Sequence, residues 1–246
     1  MIQAKIQPLQ SSEFANIRPL LKHFNREATR IVIKNVFKIN PACYFQNFID
    51  ASNLQATIKL EEIGDSSLTF SETLIDSNNK EVLVERLLKE TILDGTSRRQ
   101  AKFPDWYIEK YSHIKGKGKY PSLSKVTIPR FPVDCFSQSV VLRQSDTDYN
   151  RHTNFTVYIK FCMDCATEAA INGYLIHYKE DMCKFPTETV KIDFIGESYA
   201  GDTLTTCMWQ DGDDIQKFRF IILKGKKTLI NSVFTFGLVK FQDAKL

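Results

Sequence analysis

The stretch SQSVVLRQSDTDYNRHTNFTVYIKFCMDCATEAAINGYL, Ser137 to Leu175, changes period twice. Val140, Val141 and Leu142 in a β-branched context read as a strand. Asp146, Asp148, Asn150, His152 and Asn154 then stand on every second position. From Tyr158 the apolar residues Phe161, Cys162, Cys165, Ala166 and Ala169 recur at helical spacing, with Gly173 near the end. The polar alternation between strand and helix is either a solvated loop that caps the helix through Thr153 or Asn154, or a loop delivering several polar groups to one place.

Working outward, the chain reads as two copies of one plan. In the second half the helix is followed by strands TVKIDFIG, DTLTTCMWQ, QKFRFIILK and KTLINSVFTFGLVKF, with AGD, DGDD and KGKK as turns. In the first half ATRIVIKNVFKIN reads as a strand, and PACYFQNFIDASNLQAT as a helix near 41–57 opened by Pro41. ATIKLEEI, SLTFSETLID and EVLVERLLKETILD follow as strands. Aligned this way, YFQNFIDASNLQA lies over YIKFCMDCATEAA, a likeness of pattern more than of letters. A helix followed by antiparallel strands is the layout of an α+β domain whose sheet wraps the helix. The expected boundaries are an N-terminal repeat over 1–114, a basic linker over 115–132 and a C-terminal repeat over 133–246. The linker HIKGKGKYPSLSKVTIPRFP is Gly-, Pro- and Lys-rich, and its GKG lacks P-loop spacing. It is either a solvated connector or a contact for an acidic carrier.

Composition narrows the class. The 246 residues are 43% hydrophobic and 25% charged, ordinary for a soluble globular protein with a sizeable core. A net charge of +4 is too small to argue for nucleic acid and is compatible with an anionic ligand. No run reaches the length of a membrane span. The basic IRPLLKHFNREATR lacks the apolar core of a secretory signal and is read as folded structure in preference to a transit peptide. The expected compartment is the cytoplasm, with a mitochondrion or other organelle as the alternative. The six cysteines are scattered and read as reduced thiols. Cys162 and Cys165 form a C-x-x-C with no second pair, so they read as small core residues; no metal and no cofactor is expected.

At this point the residues become recognisable. RQSDTDYNRHTNFTVYI resembles the second hotdog domain of the acyl-acyl carrier protein thioesterases, with its R-x-S-D-x-D-x-N-x-H-x-N-N segment followed by Tyr-Ile. Arg143, Ser145, Asp146, Asp148, Asn150, His152, Asn154, Tyr158 and Ile159 match in register, and Phe155 replaces the second Asn. Upstream, LDGTSRRQAKFPDWYIEKY resembles the family's T-R-R-x-x-K-x-P-(D/E) element through Arg98, Arg99, Lys102, Pro104 and Asp105. VKIDFIGESYAGDTL looks like the family strand ending Tyr-Arg-Arg-Glu-Cys, with Glu197 on the catalytic Glu and Ser198 on the Cys. The resemblance implies a tandem (double) hotdog, hydrolysis of fatty-acyl thioesters of carrier protein or CoA, and a site built from Asp148, Asn150, His152 and Glu197. Which of the two carboxylates is the base stays open.

Chemically, His152 is the proton carrier near neutral pH, Asn150 orients water or donates to a carbonyl, and helix-terminal amides near Thr153 to Thr156 face a developing oxyanion. Asp146 and Arg143 read as a loop-bracing pair. Arg98, Arg99, Lys115, Lys117 and Lys119 are the expected contacts for an acidic acyl carrier protein or for CoA phosphates. The first repeat's VFKINPACY has no carboxylate or His, so that half is expected to form the acyl-pocket wall, with Phe45, Phe48 and Ile49 lining it or filling core. His23, His113 and His177 read as surface or packing residues, and Trp106 and Trp209 as packing. Assembly as a monomeric pseudo-dimer or a homodimer is open. Alternatives are a non-catalytic acyl-binding protein and a hotdog enzyme of other chemistry, such as a dehydratase.

Overall fold

The computed structural model describes residues 20, 23–24, 28–45, 53–116, 120, 123 and 132–240. The chain divides into two compact units, Met1–Lys125 and Val126–Leu246.

The first unit contains β1 (Thr29–Ile39), a short α1 (Ala42–Phe45), β2 (Leu54–Ile63), β3 (Ser67–Asp76), β4 (Val82–Leu93) and α2 (Asp105–Lys110). Its strands pair antiparallel in the order β2-β3-β4-β1. Asn40 starts α1 by accepting the Ala42 N–H on its side chain at 2.9 Å, just ahead of Pro41. One face of this sheet joins Leu20, Phe103 and Tyr107 in an apolar core with Leu60, Leu68, Phe70 and Leu88. Leu20 is helical and fully buried there.

The second unit contains β5 (Phe136–Val141), α3 (Phe155–Ile171), β6 (Thr187–Phe194), β7 (Thr203–Asp211), β8 (Asp214–Lys224) and β9 (Lys227–Phe236). The antiparallel order is β6-β9-β8-β7-β5. Meander β7-β8-β9 closes its last hairpin on Gly225, whose φ of +57° suits the first position of a two-residue turn. Helix α3 starts on Asn154, whose side chain accepts from the Thr156 N–H, and stops where Gly173 takes φ +76°. Its buried face is Tyr158, Phe161, Cys162, Cys165, Ala166, Ala169 and Ala170. Phe218, Phe220, Phe234 and Phe236 are fully buried in the same unit.

Two expectations are corrected. The 41–57 helix cannot run to residue 57, because β2 begins at Leu54 and pairs along β3; Gln55 already broke the apolar stripe, and Thr57 and Ile58 favour a strand. Phe48, Ile49 and the side chain of Phe45 lie outside the described residues. The alignment of the two repeats also shifts. β1 pairs with the last strand of its meander, β4, as β6 pairs with β9; β5 instead pairs with the first, β7. β1 is therefore the counterpart of β6, not of β5. By chain order VFKINPACY is then the counterpart of the end of β6 and the β6–β7 connection, and not of the loop before α3. Trp106, 42% exposed, packs against Tyr107 and His23, and Trp209 is buried, as packing residues.

All six cysteines are free thiols. Cys162 and Cys165 are fully inside, and burial raises both thiols, Cys165 to about 12. They behave as small core side chains. Among the described residues, no helix is long and apolar enough to cross a membrane.

Candidate active site

Ser198 organises this region. It has no exposed surface, and its Oγ lies 2.8 Å from Thr153 Oγ1 and 2.7 Å from the Tyr158 phenol. Its carbonyl accepts the Thr153 N–H at 2.9 Å and the Thr153 hydroxyl at 3.0 Å. These bonds stitch the connection after β6 to the start of α3. Burial pushes the Tyr158 phenol up, partly offset by its bonds to Ser198 and Thr153, so it stays a neutral partner. Ser198 stands where the resembling family has Cys, but a hydroxyl enclosed this way is an anchor and not an attacking group.

Side chains alternate along an extended backbone, so the anchor's neighbours face the other way. Glu197 and Tyr199 share that opposite side. Glu197 Oε1 lies 3.6 Å from His152 Nδ1, within ion-pair reach, with side chains 33% and 23% exposed. Tyr199 forms an isolated antiparallel bridge with His152 and sets its ring edge-to-face on the imidazole at 5.1 Å. His152 Nε2 has no partner among the described residues.

The loop carrying His152 is a tight reversal. Thr147 bridges Thr153, the Asp148 N–H donates to the His152 carbonyl at 2.8 Å, and Arg151 takes φ +63°. Asp148 Oδ1 accepts the Asn150 N–H at 2.8 Å and the His152 N–H at 3.3 Å. This carboxylate shapes the loop. Asn150 is exposed, and its side-chain amide has no partner among the described residues. Asp146 takes the Arg143 N–H at 2.8 Å, so the brace expected between these residues runs through the backbone.

Most of the helix-terminal amides are engaged in capping. The Thr153, Asn154 and Thr156 N–H groups donate to the Ser198 carbonyl, the Asp146 carbonyl and the Asn154 side chain. The exposed Asn150 adds a side-chain amide donor on the loop that carries His152.

The basic residues lie in the first unit. Arg98 and Arg99 are exposed in the turn after β4, where Arg98 takes φ +55° and reaches Thr29 Oγ1 at 3.4 Å. Lys115 pairs with Asp65 at 3.0 Å, and the Gly116 N–H donates to the Ile63 carbonyl at 3.0 Å; this part of the expected linker is tied to the end of β2. Lys117 and Lys119 lie outside the described residues.

No protein-family model matches the chain, and no curated protein matches its sequence. Solved structures do match. The 12:0-ACP thioesterase from Umbellularia californica superposes with a TM-score of 0.67 at 11% identity, covering 91% of this chain and 80% of that one. An acyl-ACP thioesterase from Bacteroides thetaiotaomicron gives 0.62 at 14%, covering 90% and 80%. A putative oleoyl thioesterase from Lactobacillus plantarum gives 0.61 at 13%, covering 95% and 84%. The fold is a tandem hotdog. At these identities the likeness speaks for the two hotdog units and their order, and the chemistry has to be argued from the side chains.

Sequence reasoning did not single out Tyr199, and it named Thr153 only for its cap and backbone amide and Tyr158 only as a motif match, not as partners of Ser198. The available signal was the two-residue period of Glu197-Ser198-Tyr199, which turns Ser198 inward and its neighbours outward.

Proposed function

We propose that the protein is an acyl thioesterase, cleaving fatty or related acyl thioesters of acyl carrier protein or CoA to the free acid and the thiol. The observation that carries the proposal is the approach of Glu197 to His152 Nδ1 at 3.6 Å, with the exposed Asn150 two residues earlier in the same tight reversal. In the proposed reaction Glu197 faces the Nδ1 side of the imidazole and leaves Nε2 as the base. Nε2 takes a proton from a water molecule as its oxygen adds to the thioester carbon. The oxyanion that forms accepts from the Asn150 side-chain amide. On collapse the C–S bond breaks, and the imidazolium returns the proton to the departing thiolate. One water is consumed, and one acid and one thiol are released. Asp148 is assigned the loop and not the base, because its Oδ1 is held by two backbone N–H groups. Arg98 and Arg99 are proposed as exposed contacts for an anionic carrier.

The test is thiol release from acyl-CoA and acyl-carrier substrates across a range of chain lengths. Enzyme-dependent release with stoichiometric free acid is expected for at least one series. Binding of the acyl thioesters without any release would overturn the proposal in favour of an acyl-binding protein.

A further inference from the structure

Glu197 has two oxygens with different neighbours. Oε1 faces His152 Nδ1, and Oε2 accepts the Tyr199 hydroxyl at 3.2 Å. Tyr199 is itself held from behind. Its N–H donates to Asp202 Oδ2 at 2.9 Å, that same oxygen accepts Lys224 Nζ at 2.6 Å, and the ammonium sits 5.8 Å from the Tyr199 ring centroid. The Lys224 ammonium holds the Asp202 carboxyl below the usual carboxylate range. This clamp therefore persists at neutral pH and loosens only on acidification through that lowered value. The Glu197 charge contributes to the raised Tyr158 phenol, and the Lys227 side chain lies against Gly196.

We propose that Tyr199 is a positioning residue of the site: its hydroxyl fixes the Glu197 carboxylate, and its ring backs the imidazole, so that Nδ1 carries the proton and Nε2 is left as the base. The inference rests on the thioesterase reading for its kinetic consequence and on geometry alone for its structural one. A carboxylate on an extended backbone, one-third exposed, has several rotamers open to it. A hydrogen bond to one oxygen leaves the other aimed at the imidazole. The Asp202–Lys224 pair supplies rigidity behind Tyr199.

The test is Tyr199→Phe, which keeps the ring on His152 and removes only the hydroxyl. In the full chain, kcat is expected to fall about tenfold with KM within about twofold, as for loss of one hydrogen bond to a charged group. In a Glu197→Gln background the same change should cost less than about twofold, because the partner it positions is gone. The ¹⁵N shifts of the His152 ring give a second readout that needs no turnover. One tautomer, with the proton on Nδ1, is expected in the parent, and a mixture in both Tyr199→Phe and Glu197→Gln. An equal loss in both backgrounds, or an unchanged tautomer in Tyr199→Phe, would show that Tyr199 is ordinary packing. If the parent releases no thiol, the function proposal fails and the ring shifts still decide the role of Tyr199.

Discussion

The core-facing side of the first unit's sheet and the α3-facing side of the second's are built from different chemistry. Three rows cross the first: Val32–Glu90–Leu68–Ile63, Asn35–Leu88–Phe70–Leu60 and Phe37–Arg86–Glu72–Ile58. Four polar or charged residues thus share a face with the apolar core. Glu90 pairs with Arg30, Arg86 pairs with Glu72 at 2.8 Å and donates to Asn35 Oδ1 at 3.1 Å, and Asn35 Nδ2 has no partner among the described residues. The second face carries the rows Ile192–Ser232–Phe220–Met208–Phe136 and Phe194–Ile230–Ile222–Thr206–Gln138, without a charge. Buried ion pairs rarely add net stability over apolar residues of similar volume. The first unit therefore spends stability on its inner face. The second keeps these rows neutral under α3, and the charged Glu197 lies in the connection after β6, tied by Ser198 to the His152 segment.

That contrast can be broken most forcefully at Arg30. Arg30→Ala leaves Glu90, whose side chain is only 6% exposed, without its counter-charge, and should cost about 3 kcal/mol of unfolding free energy in a denaturant titration. A change below 0.5 kcal/mol would mean that the face is not charged in the sense argued. Ser198→Ala comes next. It leaves the buried Tyr158 phenol without its Ser198 partner and should cost about 2 kcal/mol, together with a loss of kcat as the two segments part. Stability loss with full activity would show that the stitching is not what brings Glu197 to His152. The smallest effect is expected on the first unit's surface. Neutralising Arg98 and Arg99 to Gln should raise KM for a carrier-bound substrate by about two- to fivefold at low salt, and by less at high salt, where exposed charges are screened. Salt-independent KM would remove these arginines from substrate contact.

Most of the second unit was legible in the sequence because its elements carry unmixed signals. VKIDF and SVFTF alternate, CMDCATEAA keeps one helical stripe, and Asn154 and Gly173 mark the ends of α3. The loop was legible as a place where Asp148, Asn150 and His152 gather, but not as an arrangement: backbone donors are silent in sequence, and they decided that Asp148 shapes the loop and that most of the helix-terminal amides are engaged in capping. In the first unit, QNFIDASNLQAT mixes both periods, and the repeats were aligned by strand–helix order alone. Strand pairing identifies β1 with β6, which no local pattern could report, because register is fixed by neighbours distant in sequence. The α2 helix was hidden for a related reason: DWYIEK is too short to show a stripe, and Tyr107 is buried by tertiary packing alone.

The central claim is that the second unit's loop and the Glu197 segment form one hydrolytic site held by His152. The most direct measurement is kcat for thiol release by His152→Ala beside its melting temperature. Loss of a well-placed acid–base group costs about 10²–10⁴-fold in rate, and His152 is part-exposed outside the core, so its melting temperature should stay within a few degrees of the parent. A His152→Ala protein that is equally stable and still turns over within about threefold of the parent would contradict the account.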